Sequence, residues 1–152
     1  MKKLYYASFA YMVVGVLAGL FYREFTKAED FPAGEFTQLG VTHTHLLTLG
    51  FIVLLIVLAL EKLFTISRNK RLFAWFFWLY NAGVVLTTAM MIWHGSLTVL
   101  GEESTSMISG IAGLGHILIT AGMIVFFIAL GRAITQDGPA ERPVYEPEGA
   151  RA

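Results

Sequence analysis

Four long apolar segments alternate with polar connections along the chain. Each is about 20 residues long or slightly longer, the length that an α-helix needs to cross the hydrocarbon core of a bilayer. None of them contains Asp, Glu, Lys or Arg; they cover residues 4–22, 41–60, 72–93 and 107–131. This pattern predicts four transmembrane helices, over residues 4–22, 41–63, 72–94 and 107–132.

The predicted fold class is therefore all-α, an integral membrane four-helix bundle formed by residues 1–134. The remainder, residues 135–152, holds Pro139, Pro143 and Pro147 among charged residues and is predicted to be a disordered tail. A cleaved signal peptide is the alternative for the first segment, which follows Lys2 and Lys3. The segment has no A-x-A-like cleavage site and no polar c-region, so a retained helix is favoured.

Basic residues predict the orientation of the bundle. Four Lys or Arg lie in the connection at residues 61–71, and Lys2 and Lys3 precede the first helix. The connection between the third and fourth helices contains Glu102 and Glu103 and no basic residue. By the positive-inside rule, both termini and the middle connection are cytoplasmic. We expect a multi-pass protein of a prokaryotic inner (plasma) membrane.

The composition excludes several classes of chemistry. The chain is 56% hydrophobic and 14% charged, whereas an ordinary soluble domain is nearer one quarter charged. Its formal net charge is zero, which gives no indication of a nucleic-acid partner. Because there is no cysteine, disulfides, c-type haem attachment, iron–sulfur clusters and thiolate metal sites are all excluded. A bound metal would be held mainly by histidine.

The four histidines of the chain all fall toward the predicted outer side. His43 and His45 begin the second helix, His94 closes the third, and His116 lies about 14 Å into the fourth. Imidazole is costly at membrane depth without a partner or a ligand. His43 and His45 point about 200° apart on a helix, so they do not easily grip one metal together. They suit two different sites or two neighbouring subunits.

Small residues accompany these histidines at helical spacing. Gly50 lies on the same face as His43, two turns deeper, and leaves room there. Similar stripes occur on the fourth helix (Ser109, Gly113, His116, Thr120) and on the third (Thr87, Met90, Met91, His94). A flat macrocycle needs an axial ligand beside small residues, although such stripes equally suit interhelical hydrogen bonding. The G-x-x-x-G formed by Gly15 and Gly19 favours tight packing within the bundle over an oligomer contact or a cofactor slot.

Haem b fits this set of ligands best. Zinc asks for three or four close ligands, and copper has no Met- or Cys-rich site here, which leaves it weakly supported. Haem b needs one or two axial histidines and an apolar slot, and Arg23 and Lys27 could pair with its propionates. The predicted cofactor residues are His43, His45, His94, His116, Gly50, Gly113 and Arg23. For His94, which adjoins Trp93 at the interface, a purely structural role is the stronger alternative.

The run V-T-H-T-H-L-L-T-L-G at residues 41–50 resembles the haem-ligating H-x-H helix of haem-copper oxidase subunit I. The whole chain up to Arg132 also resembles a family of small prokaryotic membrane proteins that carry a domain of unknown function. The oxidase resemblance implies twelve helices in three repeats of four. A homotrimer of this chain would reproduce them, with a homodimer as the alternative. Each subunit interface would then hold one haem between His43 of one chain and His45 of the next, and His94 and His116 would form a possible second site.

The departures from the oxidase pattern limit the predicted function. The H-P-E-V-Y segment and the paired histidines of a later loop are missing, and none of the four apolar segments carries the Asp, Glu or Lys of a proton pathway. Proton pumping and four-electron oxygen reduction are therefore disfavoured. The leading hypothesis is a b-type cytochrome for electron transfer or gas or haem binding, with an unknown redox partner. The alternatives are a non-redox metal or haem carrier or assembly factor, and a small oxidoreductase with a five-coordinate haem.

Overall fold

The computed structural model describes residues 1–103 and 105–136, without the side chains of Ser106 and Ser109. Every regular element in these ranges is helical. Five α-helices follow one another, α1 (Lys2–Ala28), α2 (Leu39–His45), α3 (Val53–Phe64), α4 (Lys70–Val99) and α5 (Ser106–Gln136). A π-helical segment, Leu46–Ile52, joins α2 to α3 without a break, and a short 3₁₀ turn, Ile66–Arg68, precedes α4.

Four helices within the described residues are long and apolar enough to cross a membrane, as predicted. These are Lys2–Ala28, Leu39–Phe64, Lys70–Val99 and Gly110–Gln136. Each extends beyond its apolar segment, because intrahelical hydrogen bonds also satisfy the backbone where the side chains become polar. The last helix, α5, continues to Gln136, two residues past the predicted boundary at residue 134. The rest of the predicted tail, residues 137–152, lies outside the described residues.

The first two membrane helices pack through small residues. The buried face of α1 comprises Leu4, Ser8, Tyr11 and Gly15, at the spacing of three to four residues that a helix stripe requires. A Cβ built on Gly15 would lie 2.8 Å from Cδ2 of Leu47. The G-x-x-x-G therefore serves packing within the bundle, the favoured interpretation of its sequence.

The last two helices, α4 and α5, approach even more closely. A Cβ on Gly83 would lie 2.6 Å from the backbone nitrogen of Ile119, and one on Gly122 would lie 2.8 Å from that of Tyr80. Glycine on both helices allows this approach of the two backbones, which is how membrane helices gain packing contacts without a hydrophobic driving force. In contrast, nothing lies within 4 Å of a Cβ built on Gly113.

The two ends of the bundle differ. We call the end with the N-terminus and residues 61–71 the basic end, and the end with residues 29–38 and 100–105 the loop end. Much of the buried core lies toward the basic end, where the Phe76 ring is 5.0 Å from that of Phe126. Toward the loop end, the buried Thr37 hydroxyl donates to the carbonyl of Gly95 (2.8 Å), which pins the start of α2 to α4.

The outer surface of the four-helix unit is strongly apolar. Only 22–33% of each membrane-length window is buried within the chain, and large side chains such as Trp78, Ile117 and Phe127 are more than half exposed. In water, exposed apolar area of this extent would be unfavourable. The surface fits contact with the lipid bilayer, in agreement with a multi-pass membrane protein.

A buried carboxylate closes the connection between α3 and α4. Glu61 is 5% exposed, and its Oε2 accepts the backbone N–H of Ser67 (2.8 Å) while Oε1 accepts the Ser67 hydroxyl. We expect Glu61→Ala to lower the free energy of unfolding by about 2 kcal/mol, because the N–H and hydroxyl of the partly buried Ser67 lose charge-assisted hydrogen bonds. Unfolding of the detergent-solubilised protein by SDS, followed by circular dichroism, measures the loss. The exposed neighbour provides the control, since Lys62→Ala should change stability by less than about 0.5 kcal/mol.

Candidate functional site

The two histidines of the H-x-H motif lie on different sides of α2. His43 faces α1, where a Cβ built on Gly19 would lie 3.6 Å from both Cβ and Cγ of His43. His45 lies away from this contact and lines a shallow surface cavity with Thr44, Thr48 and Leu49. Thr42, which directly precedes His43, is 1% exposed and faces the interior of the bundle. The i, i+2 spacing therefore separates the two rings as the helical period requires.

His45 has the hydrogen-bonding pattern of a metal-ligating imidazole. Its Nδ1 lies 2.9 Å from the carbonyl oxygen of Val41, one turn earlier on α2. A carbonyl oxygen only accepts hydrogen bonds, so Nδ1 carries the proton and Nε2 keeps its lone pair. A backbone carbonyl bonded to Nδ1–H fixes the tautomer and the orientation of the ring, as in many metal sites.

His116 on α5 repeats this arrangement. Its Nδ1 lies 3.0 Å from the carbonyl oxygen of Ala112, and the side chain is exposed on the outside of the bundle. By the same argument its Nε2 holds a lone pair. One turn earlier, Gly113 leaves the surface beside the ring open. An exposed imidazole within a membrane-length helix is costly unless another group contacts it.

The other two histidines differ from this pair. The Nδ1 atoms of His43 and His94 are buried and have no hydrogen-bond partner within the described part of the chain. Neither ring is therefore held by the Nδ1 contact that orients His45 and His116. The side chains that share a helix face with His94 mostly point into the bundle, since Thr87 and Met91 are both buried.

The remaining predicted cofactor residues have contrasting surroundings. Gly50 shares the α1-facing side of the helix with His43, but the room beside it is filled: a Cβ there would lie within 3 Å of three Tyr11 atoms. The prediction that Gly50 leaves space for a macrocycle was therefore wrong. Gly113 is open, as a cofactor surface needs. Arg23 is exposed and makes a 3.5 Å salt bridge with Glu24, a surface contact of little energetic weight.

Interhelical contacts show that His45 and His116 lie at similar depth. Leu39 contacts Gly95 and Gly115 contacts Thr87, so the depth of both histidines along the bundle axis can be compared with positions on α4. His45 is six residues beyond Leu39, about 9 Å deeper than the Gly95 level. Thr87 is eight residues before Gly95, and His116 follows Gly115, which places His116 about 13 Å below the same level. The two imidazoles therefore differ in depth by only about 4 Å.

His94 and His116 of one chain lie at different depths. His94 adjoins Gly95, so its backbone lies about 12 Å along the bundle axis from that of His116. No group of three or more His, Cys, Asp or Glu side chains comes together as a metal site anywhere in residues 1–103 and 105–136. A second site that includes His94 and His116 stays a prediction.

Two structural features near the motif were missed by the sequence reasoning. The π-helical segment begins directly after His45, and the carbonyl of Leu49 within it accepts the hydroxyl of Tyr80 (3.0 Å). Tyr11 fills the space over Gly50 and donates its hydroxyl to the carbonyl of Asn81 (3.4 Å). Gly50, in an otherwise bulky run, was the one signal in the sequence for these two features. A π segment has no simple sequence pattern, although such segments often occur at functional sites.

Comparison with known proteins places the chain in a family. The family model described as "Protein of unknown function (DUF2871)" matches residues 1–133, which include all four histidines and nearly all of the four membrane-length helices. No curated protein and no solved structure matches the chain. The resemblance of residues 41–50 to oxidase subunit I is not among these findings and stays a prediction. The expected family membership is confirmed: the chain belongs to the DUF2871 family, a family of proteins of unknown function.

Proposed function

We propose that this protein binds haem b in the membrane, with His45 and His116 as the axial ligands and each haem between neighbouring copies of the chain. One observation carries the proposal. Both imidazoles hold Nδ1 against the carbonyl of the preceding turn, and both lie near the surface of the chain at similar depth. Two oriented imidazoles with free Nε2 lone pairs are the donor set of a six-coordinate haem.

A haem suits this donor set better than a bare metal ion. Zinc and copper need three or four ligands from the protein. The porphyrin supplies four nitrogens itself and asks the protein for two axial imidazoles and an apolar surface. The leucine and threonine side chains beside His45 and the open surface at Gly113 provide such a surface without a further metal ligand.

The size of the cavity supports a site shared between chains. The cavity beside His45 has a volume of about 230 Å³, below the roughly 300–1,000 Å³ of pockets that enclose small ligands. The ring of His116 is likewise exposed within the described part of the chain. A second copy of the chain would complete both surfaces. We favour a homotrimer, which the oxidase resemblance implies, over a homodimer.

This pairing replaces the His43–His45 bridge expected from the motif. His43 packs on Gly19 of its own α1, whereas His116 is already on the outside of the bundle. The oriented ring of His45 is kept as one ligand and His116 becomes the other. Arg23, at the loop end of α1, remains available to pair with a propionate after its exposed contact with Glu24 is exchanged.

Such a site would serve electron transfer. A bound haem supplies a one-electron Fe(III)/Fe(II) couple. The protein's residues would contribute the rest: two imidazoles that occupy both axial positions, Nδ1–H contacts that raise ligand basicity, and apolar walls that exclude water. With both axial positions filled by the protein, direct reaction with oxygen is disfavoured, so we place electron transfer ahead of gas chemistry. With the loop end outside, the haem would lie toward the outer face.

An absorption spectrum of the detergent-purified full chain tests the proposal. After expression with ample haem, we expect a Soret band, sharp α and β bands on reduction, and one haem per chain, because each interface holds one His45 and one His116. Carbon monoxide should leave the reduced spectrum nearly unchanged. Absence of a Soret band would rule the function out, and a large carbon monoxide shift would replace electron transfer with ligand-binding chemistry at a five-coordinate haem. A haem that no reductant reduces would point instead to a carrier.

A further inference from the structure

A long groove separates α1 from α4 on the surface of the bundle. Three cavities of about 310, 550 and 340 Å³ follow one another along it and share lining residues. Lys3, Phe77 and Trp78 border both the first and the second cavity, and Tyr11 and Val85 border both the second and the third. The groove is therefore continuous from the basic end past the middle of the helices. Within the described residues, no histidine lines it.

The groove is apolar along its length and positively charged at one end. Phe77, Tyr11 and Val85 form its middle, and Val14 and Ile92 continue it toward the loop end. At the basic end it is bordered by the exposed side chains of Lys3 and Lys70. Neither lysine has a carboxylate partner among the described residues. The salt bridge between Arg23 and Glu24 lies at the opposite end of the bundle.

The N-terminal residues and the α3–α4 connection at this end are strongly positive. Residues 1–3 and 61–71 together carry six Lys or Arg side chains and one carboxylate, that of Glu61. Glu61 is buried, and its carboxylate already accepts two hydrogen bonds from Ser67, which lines the first cavity. Trp78, which is 63% exposed, lies next to the lysines. Tryptophan beside basic residues is typical of the level of lipid headgroups.

We infer that the groove binds one anionic phospholipid, with the phosphate between Lys3 and Lys70 and an acyl chain along Phe77, Tyr11 and Val85. Both the charge and the dimensions support this occupant. From Lys70 to Val85 the groove extends 15 residues of α4, about 22 Å, which is enough for a headgroup and most of one leaflet. A transmembrane helix of a second copy would not explain why Lys3 and Lys70, which have no carboxylate partner among the described residues, border one end of the groove. The inference does not depend on haem.

Competition between lipids in native mass spectrometry tests the inference. The full chain, in mild detergent, is titrated with phosphatidylglycerol and with phosphatidylcholine of the same acyl chains. We expect one phosphatidylglycerol per chain to be retained in preference to phosphatidylcholine. The double substitution Lys3→Gln, Lys70→Gln should weaken phosphatidylglycerol binding about 30-fold, since each basic residue near an anionic headgroup contributes about a fivefold gain. The control is Lys62→Gln, which removes a lysine of the same end that does not line the groove.

A second variant fills the groove without changing its charge. Ala74 lines the first cavity, so Ala74→Trp should displace the lipid although both lysines remain. Ala82→Trp, at an exposed position of α4 outside the three cavities, should leave binding unchanged. Equal affinity for both lipids, or lipid retention in Ala74→Trp equal to that in Ala82→Trp, would overturn the inference. An equal loss in Lys62→Gln and in the double variant would also overturn it, because it would reveal general attraction to the basic end. So would a cross-link between copies through Val85→Cys, which would assign the groove to a neighbouring chain.

Discussion

His45→Ala and His116→Ala are each expected to reduce the haem content of the purified protein more than about tenfold, since each removes one of two axial ligands. His43→Ala, only two residues from His45, should retain haem because its ring packs on Gly19 within the chain. The haem-to-chain ratio of the three variants, purified from cells with the same haem supply, gives the comparison. Circular dichroism checks that each variant is as helical as the unsubstituted protein.

Co-expression of the two deficient variants determines whether the ligands come from different chains. In a mixed homotrimer or homodimer of His45→Ala and His116→Ala chains, some interfaces join an intact His45 to an intact His116. These interfaces should recover haem, in proportion to how often the two chains adjoin in that order. No recovery in mixed oligomers would contradict the shared site and assign both ligands to one chain. Retention of haem by His45→Ala together with its loss in His43→Ala would instead restore the motif's first histidine as the ligand.

Gly83→Ala should destabilise the bundle by about 2 kcal/mol. The added Cβ would lie 2.6 Å from the backbone nitrogen of Ile119 and 2.7 Å from the carbonyl oxygen of Gly115. Backbone atoms of a packed helix cannot move aside as a flexible side chain can, so overpacking of about 3 kcal/mol is expected. The better helix propensity of alanine offsets about 1 kcal/mol of this cost. SDS-induced unfolding followed by circular dichroism measures the net change.

Gly113→Ala is the matched control for this substitution. It makes the same chemical change on the partner helix, but nothing lies within 4 Å of the new Cβ. Only the gain in helix propensity remains, so the variant should be unchanged or up to about 1 kcal/mol more stable. Equal stability of the two variants would show that α4 and α5 do not approach as closely as Gly83 and Gly115 indicate. A haem content that falls in Gly113→Ala alone would further place Gly113 beside the cofactor.

The number and position of the membrane helices could be predicted because they follow from length and composition alone. Twenty apolar residues without a charge must form a helix in lipid, where each backbone polar group needs a partner within its own segment. The separation of His43 from His45 was also predictable, since it depends only on the helical period. The exact helix ends were not, because α1 continues to Ala28 through residues that no apolar pattern includes.

The residue types of the candidate site could be read from the sequence, whereas the proposed pairing of His45 with His116 could not. His45 and His116 were both among the predicted cofactor residues, but the motif favoured His43 as the partner of His45. A single sequence does not say which neighbour a helix face meets. His43 is taken up by Gly19, and the space at Gly50 by Tyr11, because α1 packs along this side of the second membrane helix. Both contacts join residues that are more than 20 positions apart in the chain.

The sequence by itself determined that this protein has four membrane-length helices and four histidines, two of them at a spacing that turns their rings to different sides of one helix. These properties depend on local periodicity and on the low solubility of charges in lipid. The tertiary structure alone decided which histidines are held against a carbonyl near the surface and which have Nδ1 buried inside the bundle. It also placed His45 and His116 at similar depth and left a groove between α1 and α4. The physical reason is close packing: the rotation and approach of each helix depend on where glycine on one helix admits a ring or a backbone from another.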